Sequence, residues 1–432
     1  MSEQSSSVNP ARAAITAVEN TCRELYSDPP YFHVGDVIRN RKDLAALNRG
    51  QFYAYARFRN HPDHVRLERW LADYYAGSQA FRIYPSGMAA IAASLYGAIR
   101  QYYVSCPLLT STSPEIIAFL PLYGSTYELL CEINEWREYD VNVFFLEAPE
   151  SVDEFEQLLK EEINGDTIAV ISEFFANPTL GFADPQKIGQ ALSKFPPENK
   201  PLFIIDDTFS FGLRFKPFRW GADAVVSSGT KYLSGESAWT LGYLGISQEC
   251  AKHHTAFLHE VDQWTMLRGG PAAPFESWAA GALCVQTVDQ RIKTHSRNAM
   301  RVAKFLDTHP SVARVIYPGL PDYQGYPRRI LKYLGPIDGE FFFGGMVSFY
   351  LKTDDPEKVL DFLFAFGGFR ASLGGPEDMI ESPALLSHRG MDKEDRIRLG
   401  ITPNLIRLSV GLGPAEETIN RLDHALSVVI SY

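Results

Sequence analysis

Apolar residues never run long enough in this chain to cross a bilayer, cysteines are few, and neither the basic nor the acidic residues gather into a dense tract. Each absence sets aside a class of protein. A membrane-spanning helix needs about 20 consecutive, mostly apolar residues. The five cysteines, Cys22, Cys106, Cys131, Cys250 and Cys284, form no CxxC pair and are odd in number, the pattern of reduced thiols; neither a disulfide framework nor a metal site is expected. A net charge of -11 without a Lys/Arg cluster argues against a surface held to nucleic acid by phosphate contacts. The polar start from Met1 to Ser7 lacks the charged and apolar regions of a signal peptide. A soluble, cytoplasmic protein with no membrane and no nucleic-acid partner is the expectation.

At 432 residues the chain exceeds the roughly 250 to 300 at which a single core stops growing, so a large domain with a smaller partner is expected. Across residues 63–260 helical patterns alternate with short apolar runs, the order that builds an α/β domain around a mostly parallel sheet. Strands are predicted at Val143 to Leu146, Ile168 to Glu173, Leu202 to Ile205 and Ala224 to Ser227, and Asp184-Pro185 reads as an N-cap followed by proline at the first helical position. Residues 1–62, with many Arg, Tyr and Asn, read as an arm that contacts a partner subunit. Residues 261–432 read as a smaller α+β domain: a long helical stretch from Pro271 to about Leu306, a strand at 344–350 and a final helix from about Pro414 to Val429.

Chemistry concentrates in Ser227-Ser228-Gly229-Thr230-Lys231-Tyr232-Leu233-Ser234-Gly235, where one lysine stands among small hydroxyl and glycine residues directly after Ala224-Val225-Val226. A lysine that forms a Schiff base must be neutral part of the time, which needs partial burial or a neighbouring positive charge. Lys231 leaves an apolar strand and meets that condition, although a solvated lysine at a strand end has the same local pattern. Ser228 and Thr230 offer hydroxyls to phosphate oxygens. The combination points to an anchor for pyridoxal phosphate.

Other segments are consistent with that cofactor. Asp206 ends the apolar run Leu202-Phe203-Ile204-Ile205; an unpaired buried carboxylate is costly, and a protonated pyridine nitrogen would compensate it, with Asp207 pointing to the other face. An Asp capping a turn fits the local pattern equally. Tyr84-Pro85-Ser86-Gly87-Met88-Ala89-Ala90-Ile91 runs from a loop into an alanine-rich helix, whose first N–H groups make a ready anion site; Gly87 permits close approach and Ser86 adds a hydroxyl. Tyr123, ahead of Gly124, suits a ring laid against a heterocycle with its hydroxyl free for proton transfer, or a core tyrosine. Glu173 and Asn177 either reach a ring oxygen of the cofactor or form a turn. Arg407, alone in the apolar Leu405-Ile406-Arg407-Leu408, requires a carboxylate partner, which an amino-acid substrate would bring.

Taken in chain order, these segments resemble the Cys/Met metabolism family of pyridoxal phosphate enzymes, the group of cystathionine γ-synthase, cystathionine γ-lyase, methionine γ-lyase and O-acetylhomoserine sulfhydrylase. The likeness runs from about Tyr53 to Leu426 and is most specific at Ser86 to Ile91, at Asp206 with Thr208-Phe209, at Ser228 to Gly235, and at Ser372-Leu373-Gly374-Gly375. It implies the fold type I, aspartate-aminotransferase-like architecture, with Lys231 as the Schiff-base lysine, Asp206 paired with the pyridinium and Tyr123 stacked on the ring. Gly87, Met88, Ser228 and Thr230 would bind the phosphate, and Asn177 would lie near the ring oxygen. Ser372 and Arg407 would hold the substrate α-carboxylate. Tyr55 and Arg57 match a motif that reaches the phosphate of the neighbouring subunit, and Tyr55 would also meet the substrate, so the resemblance implies a homo-oligomer, a dimer with shared sites commonly paired into a tetramer.

The same resemblance implies γ-replacement or γ-elimination on an amino acid activated at Cγ, with a β/γ-lyase releasing an α-keto acid as the alternative. The chain departs from the family at positions facing substrate or scaffold: Arg370-Ala371 stands where cystathionine-handling members carry an acidic residue, Ser125 where methionine γ-lyases have cysteine, Gly235-Glu236-Ser237-Ala238 in place of Gly-His-Ser-Asp, and Ala282-Leu283-Cys284 in place of Arg-Gly-Leu. A specialised substrate is the expectation. Residues 105–119 read as a loop longer than the family's, which together with 318–339 is expected to shape the entrance.

Overall fold

The computed structural model describes residues 61–105, 113–136, 138–149, 151–323 and 328–430; Tyr55 and Arg57 lie outside them. With helices shorter than eight residues left unlabelled, the order is α1 (Pro62–Tyr75), β1 (Ser78–Tyr84), α2 (Gly87–Ser105), β2 (Glu115–Leu120), α3 (Gly124–Asn134), β3 (Asn142–Glu147), α4 (Val152–Glu162), β4 (Thr167–Glu173), α5 (Pro185–Leu192), β5 (Leu202–Asp206), β6 (Ala224–Ser227), β7 (Gly242–Ser247) and α6 (Thr255–Trp264). There follow α7 (Val288–Thr308), β8 (Val312–Ile316), β9 (Met346–Leu351), α8 (Pro356–Phe366), β10 (Met379–Glu381), β11 (Leu405–Ser409) and α9 (Ala415–Ile430).

Seven strands form one sheet in the order β1-β7-β6-β5-β4-β2-β3. Strands β3, β2, β4, β5 and β6 pair in parallel, and β7 runs antiparallel to both of its neighbours. The central strands are apolar on both faces, as a sheet covered on two sides requires. Alternate residues feed separate cores: Ala169, Ile171, Leu202, Ile204, Ala224 and Val226 pack with α2 and α6, while Val170, Phe203, Ile205 and Val225 pack with α1, α4 and α5. The predicted cap is present, since Asp184 Oδ1 accepts from the Gln186 and Lys187 N–H groups at 3.0 and 3.2 Å and Pro185 opens α5. A second sheet, β10-β11-β9-β8, is antiparallel throughout and holds a core of its own with α7, α8 and α9.

Two expectations need correcting. Residues 105–119 are not all loop, because β2 begins at Glu115 and lies between β4 and β3 in the large sheet; the apolar Ile116 to Leu120 is buried by strands on both sides. The helical stretch from Pro271 to Leu306 is broken before Val288 by a wider, π-helical turn at Ala280–Cys284. There the Cys284 carbonyl accepts from the Arg291 guanidinium at 3.1 Å, and Gly281 weakens the helix. Arg291 also donates to the Tyr232 and Leu233 carbonyls at 2.6 and 3.0 Å, tying α7 to the segment that follows Lys231.

Candidate active site

The carboxyl edge of a parallel sheet is where ligands bind in open α/β folds, and here the turns after β1, β2, β4, β5 and β6 converge on a cavity of about 240 Å³. Ser86, Gly87 and Met88 reach it from the start of α2, Tyr123 from the turn into α3, and Glu173 and Asn177 from the end of β4. Asp206, Thr208, Ser228, Thr230 and Lys231 complete the large-domain wall, and Ala371, Leu373 and Arg407 close it from the small domain. The described parts of 105–119 and 318–339 do not line this cavity: β2 is sheet interior, and Tyr333 donates to the Asp184 carboxylate and packs behind the lining residue Phe174, with ring centroids 5.5 Å apart.

Lys231 Nζ donates to Ser372 Oγ at 3.2 Å. Burial, assisted by the nearby Arg407 charge, lowers its ammonium pKa to about 8, so a neutral amine is accessible near neutral pH. Across the cavity, Asp206 accepts two bonds from Thr208, from its N–H at 2.8 Å and its hydroxyl at 2.6 Å, both on Oδ1; no hydrogen bond from the described residues reaches Oδ2. The Thr208 hydroxyl in turn accepts from the Ser228 N–H at 2.9 Å, which links the strand ends of β5 and β6. Asp207 turns away, its Oδ2 accepting from the Tyr75 hydroxyl at 2.5 Å.

Glu173 sits opposite Asp206 in the β4–β5 register. Its carboxylate accepts the Tyr123 N–H at 2.6 Å and the Asn177 N–H at 3.0 Å, so it clamps two loops by their backbones. Burial raises the pKa of Glu173, with the Asp206 charge adding to the effect, and burial raises that of Asp206 as well; Asp207 is pushed up to about 7 by burial. All three are harder to ionise folded than unfolded. The stability they contribute is therefore complete below the unfolded value of about 4 and is lost as pH rises through the folded values. In calorimetry the cofactor-free protein is expected to melt about 5 °C lower at pH 8 than at pH 5, and Asp207→Asn to flatten part of that slope; a melting temperature that climbs over this range would contradict the assignment.

At the start of α2, Ser86 Oγ accepts the Ala89 N–H at 3.2 Å, leaving the first N–H groups of the helix for a ligand. A Cβ on Gly87 would lie 2.8 Å from Ser228 Cβ and 3.0 Å from its Cα, so glycine here allows two ligand-facing segments to touch. Gly87→Ala is expected to weaken cofactor binding by about 10-fold or more, the effect of 1 to 3 kcal/mol of overpacking, measured by absorbance titration of the cofactor-free protein. Thr230 is engaged otherwise: its hydroxyl bonds the Leu241 backbone at both oxygen and nitrogen, at 3.1 and 2.9 Å. Met88 Sδ accepts from the Thr126 hydroxyl at 3.9 Å.

Arg407 already has its carboxylate. Glu381, paired with it across β10 and β11, meets Nη2 at 2.9 Å, and both side chains are at most 1% exposed. Nη1 donates to Asn177 Oδ1 at 3.1 Å and Nη2 to the Ala371 carbonyl at 3.0 Å, while Nε is buried with no hydrogen-bond partner among the described residues. Glu381 escaped the sequence reading because a single acidic residue in a three-residue strand carries no periodic signal.

A model of the Cys/Met metabolism PLP-dependent enzyme family matches residues 31–427. A cystathionine beta-lyase of Coxiella burnetii is 30% identical over 384 residues, covering 88% of each chain. An L-methionine gamma-lyase of Fusobacterium nucleatum is 30% identical over 390 residues, covering 87% of each. Among solved structures, a Campylobacter jejuni protein described as an O-acetylhomoserine (thiol)-lyase, carrying N′-pyridoxyl-lysine-5′-monophosphate, superposes with a TM-score of 0.77 at 26% identity over 93% of this chain and 95% of its own.

Proposed function

Since the chain belongs to the Cys/Met metabolism family and is thus an enzyme working with pyridoxal phosphate, we propose that it catalyses γ-elimination or γ-replacement on an amino acid activated at Cγ, such as an O-acylhomoserine. The observation that carries this reading is the meeting of Lys231, bonded to Ser372, with Arg407 and Tyr123 at one cavity; these groups would supply a base, a carboxylate grip and a second proton carrier to one substrate. The residues fit the cofactor. Asp206 is a buried carboxyl with an uncommitted oxygen, suited to a pyridinium; Lys231 suits the aldehyde, and the α2 start with Ser228 suits the phosphate. When bound, the cofactor withdraws electrons from the substrate Cα.

The chain's own groups divide the remaining work. Arg407, pre-oriented by Glu381, and Ser372 hold the α-carboxylate with charge-assisted bonds. Lys231 Nζ takes the Cα proton as the neutral amine and delivers it toward Cβ. Tyr123 lines the cavity, and its hydroxyl would serve proton transfer near the leaving group. The N-terminal arm, with Tyr55 and Arg57, would complete the site of a second subunit in a homo-oligomer.

Incubation with O-acetylhomoserine is the direct test. Elimination consumes one water and yields acetate, 2-oxobutyrate and ammonia in equal amounts, whereas replacement in the presence of a thiol yields acetate and a thioether amino acid. A second reading, β-elimination on cystathionine, is favoured by the similarity to the Coxiella cystathionine beta-lyase. Turnover of a Cβ-substituted amino acid with none of any Cγ-activated one would establish it instead.

A further inference from the structure

Between β10 and β11 the small domain sends a strap across the start of α3. A Cβ on Gly124 would lie 2.3 Å from the Ser387 carbonyl oxygen, so strap and helix touch backbone to backbone directly after Tyr123. Farther along, the Tyr127 hydroxyl of α3 donates to Asp395 at 2.5 Å, and Arg396 secures the strap itself by donating to the Ala384 carbonyl at 2.5 Å. His388 sits at the centre of this contact, fully buried. Its Nε2 is 3.2 Å from the Leu122 carbonyl and 3.2 Å from the Asn177 carbonyl. With two carbonyls on that side, the ring proton belongs on Nε2. Burial, with the Arg407 charge second, lowers its pKa to about 4, so the ring is neutral at physiological pH. Its plane stands at 87° to the Tyr123 ring, with centroids 6.3 Å apart.

The other side of the imidazole leads to the carboxylate grip. Ser387, the chain neighbour of His388, donates from Oγ to Glu381 Oε1 at 2.6 Å, the oxygen that also meets Arg407; with that proton so used and the ring proton on Nε2, the 3.0 Å approach of Ser387 Oγ to His388 Nδ1 is a packing contact and not a second hydrogen bond. The adjacent residues Ser387 and His388 thus join the Arg407–Glu381 pair on one side to the loops that carry Tyr123 and Asn177 on the other. We propose that His388 is a positioning residue that locks the Tyr123 and Asn177 loops to the Arg407–Glu381 pair, so that the groups meeting the cofactor ring and the groups gripping the substrate carboxylate keep one fixed spacing. This rests on the reading of the site given above, but not on the identity of the leaving group.

The test uses the holoenzyme and exchange of the Cα proton of norvaline with deuterium, followed by NMR, a reaction that needs no leaving group. His388→Leu, which keeps the bulk and removes both polar contacts, is expected to lower kcat for exchange by about 10²-fold with KM altered less than 3-fold, the pattern of misplacement without lost binding. His388→Gln, able to donate to a carbonyl, is expected to recover kcat to within about 10-fold of the original. Hydrogen–deuterium exchange of amides 120–125 and 176–181 is expected to quicken in His388→Leu and to stay near the original in His388→Gln. Ser387→Ala, a small truncation that leaves the Arg407–Glu381 ion pair in place, is expected to lower kcat about 10-fold by cutting the link to Glu381. Original kcat and amide exchange in either His388→Leu or Ser387→Ala would overturn the proposal, as would equal losses in the Leu and Gln variants. Exchange of norvaline without turnover of any Cγ-activated amino acid would defeat the proposed reaction and leave the role of His388 standing.

Discussion

Lys231→Ala is expected to abolish turnover, lowering it by about 10⁴-fold or more, while the protein still folds and still takes up pyridoxal phosphate loosely. The size of the effect follows from removing nucleophile and base together, since one amine serves as the proposed cofactor anchor and as the carrier of the Cα proton. Truncation leaves room beside Ser372, 3.2 Å from the vanished nitrogen, so a small primary amine added to the solution is expected to restore part of the rate. The pH dependence carries a sign. With its pKa lowered to about 8 by burial and by Arg407, the amine becomes neutral as pH rises through that value, and capture of cofactor by the cofactor-free protein is expected to quicken up to about pH 8 and then level off. A Lys231→Ala variant that turns over within 10-fold of the original would remove this residue from the chemistry.

Arg407→Ala is expected to damage stability and substrate binding together, and the two losses separate. Glu381 is 0% exposed and Arg407 is its only ion-pair partner among the described residues; deleting one member of a buried pair costs about 3 to 5 kcal/mol, because the other charge is left uncompensated. Adding Glu381→Gln to the same chain removes that charge and is expected to recover most of the lost stability in denaturant titration. Substrate binding should not follow, since charge-assisted bonds to the α-carboxylate are worth about 1.5 to 3 kcal/mol each: KM is expected to remain raised by about 10²-fold or more in the double variant. A double variant that recovers both stability and KM would show that Arg407 serves the fold alone.

How far the molecule was legible in its sequence depended on whether the signal was local. Strands β4, β5 and β6 are continuous apolar runs that only a sheet covered on both faces uses, and Asp184-Pro185 states a helix start in two residues. Lys231, Asp206 and the start of α2 were found because each sits where an apolar run ends, which in a parallel sheet is the ligand-binding edge. Strand β2 reads as loop in the sequence because the turn formers Thr110 to Pro114 lead straight into it and mask the apolar run that follows. Arg407 was recognised as needing a carboxylate, but the partner was sought in the substrate, and Glu381 is supplied by a neighbouring strand whose pairing appears only in three dimensions. His388 was missed for the same reason. Its ring partners lie 266 and 211 residues upstream, and nothing in Leu386-Ser387-His388-Arg389 announces them.

Reduction of the holoenzyme with borohydride, followed by proteolysis and peptide mapping, examines the covalent anchor on which the proposed chemistry depends. The peptide containing residue 231 is expected to carry a stable pyridoxyl-phosphate adduct on the lysine nitrogen, at about one per chain, with no other lysine labelled to a comparable extent. An unmodified Lys231 in protein shown to hold the cofactor, or a label on a different lysine, would contradict it.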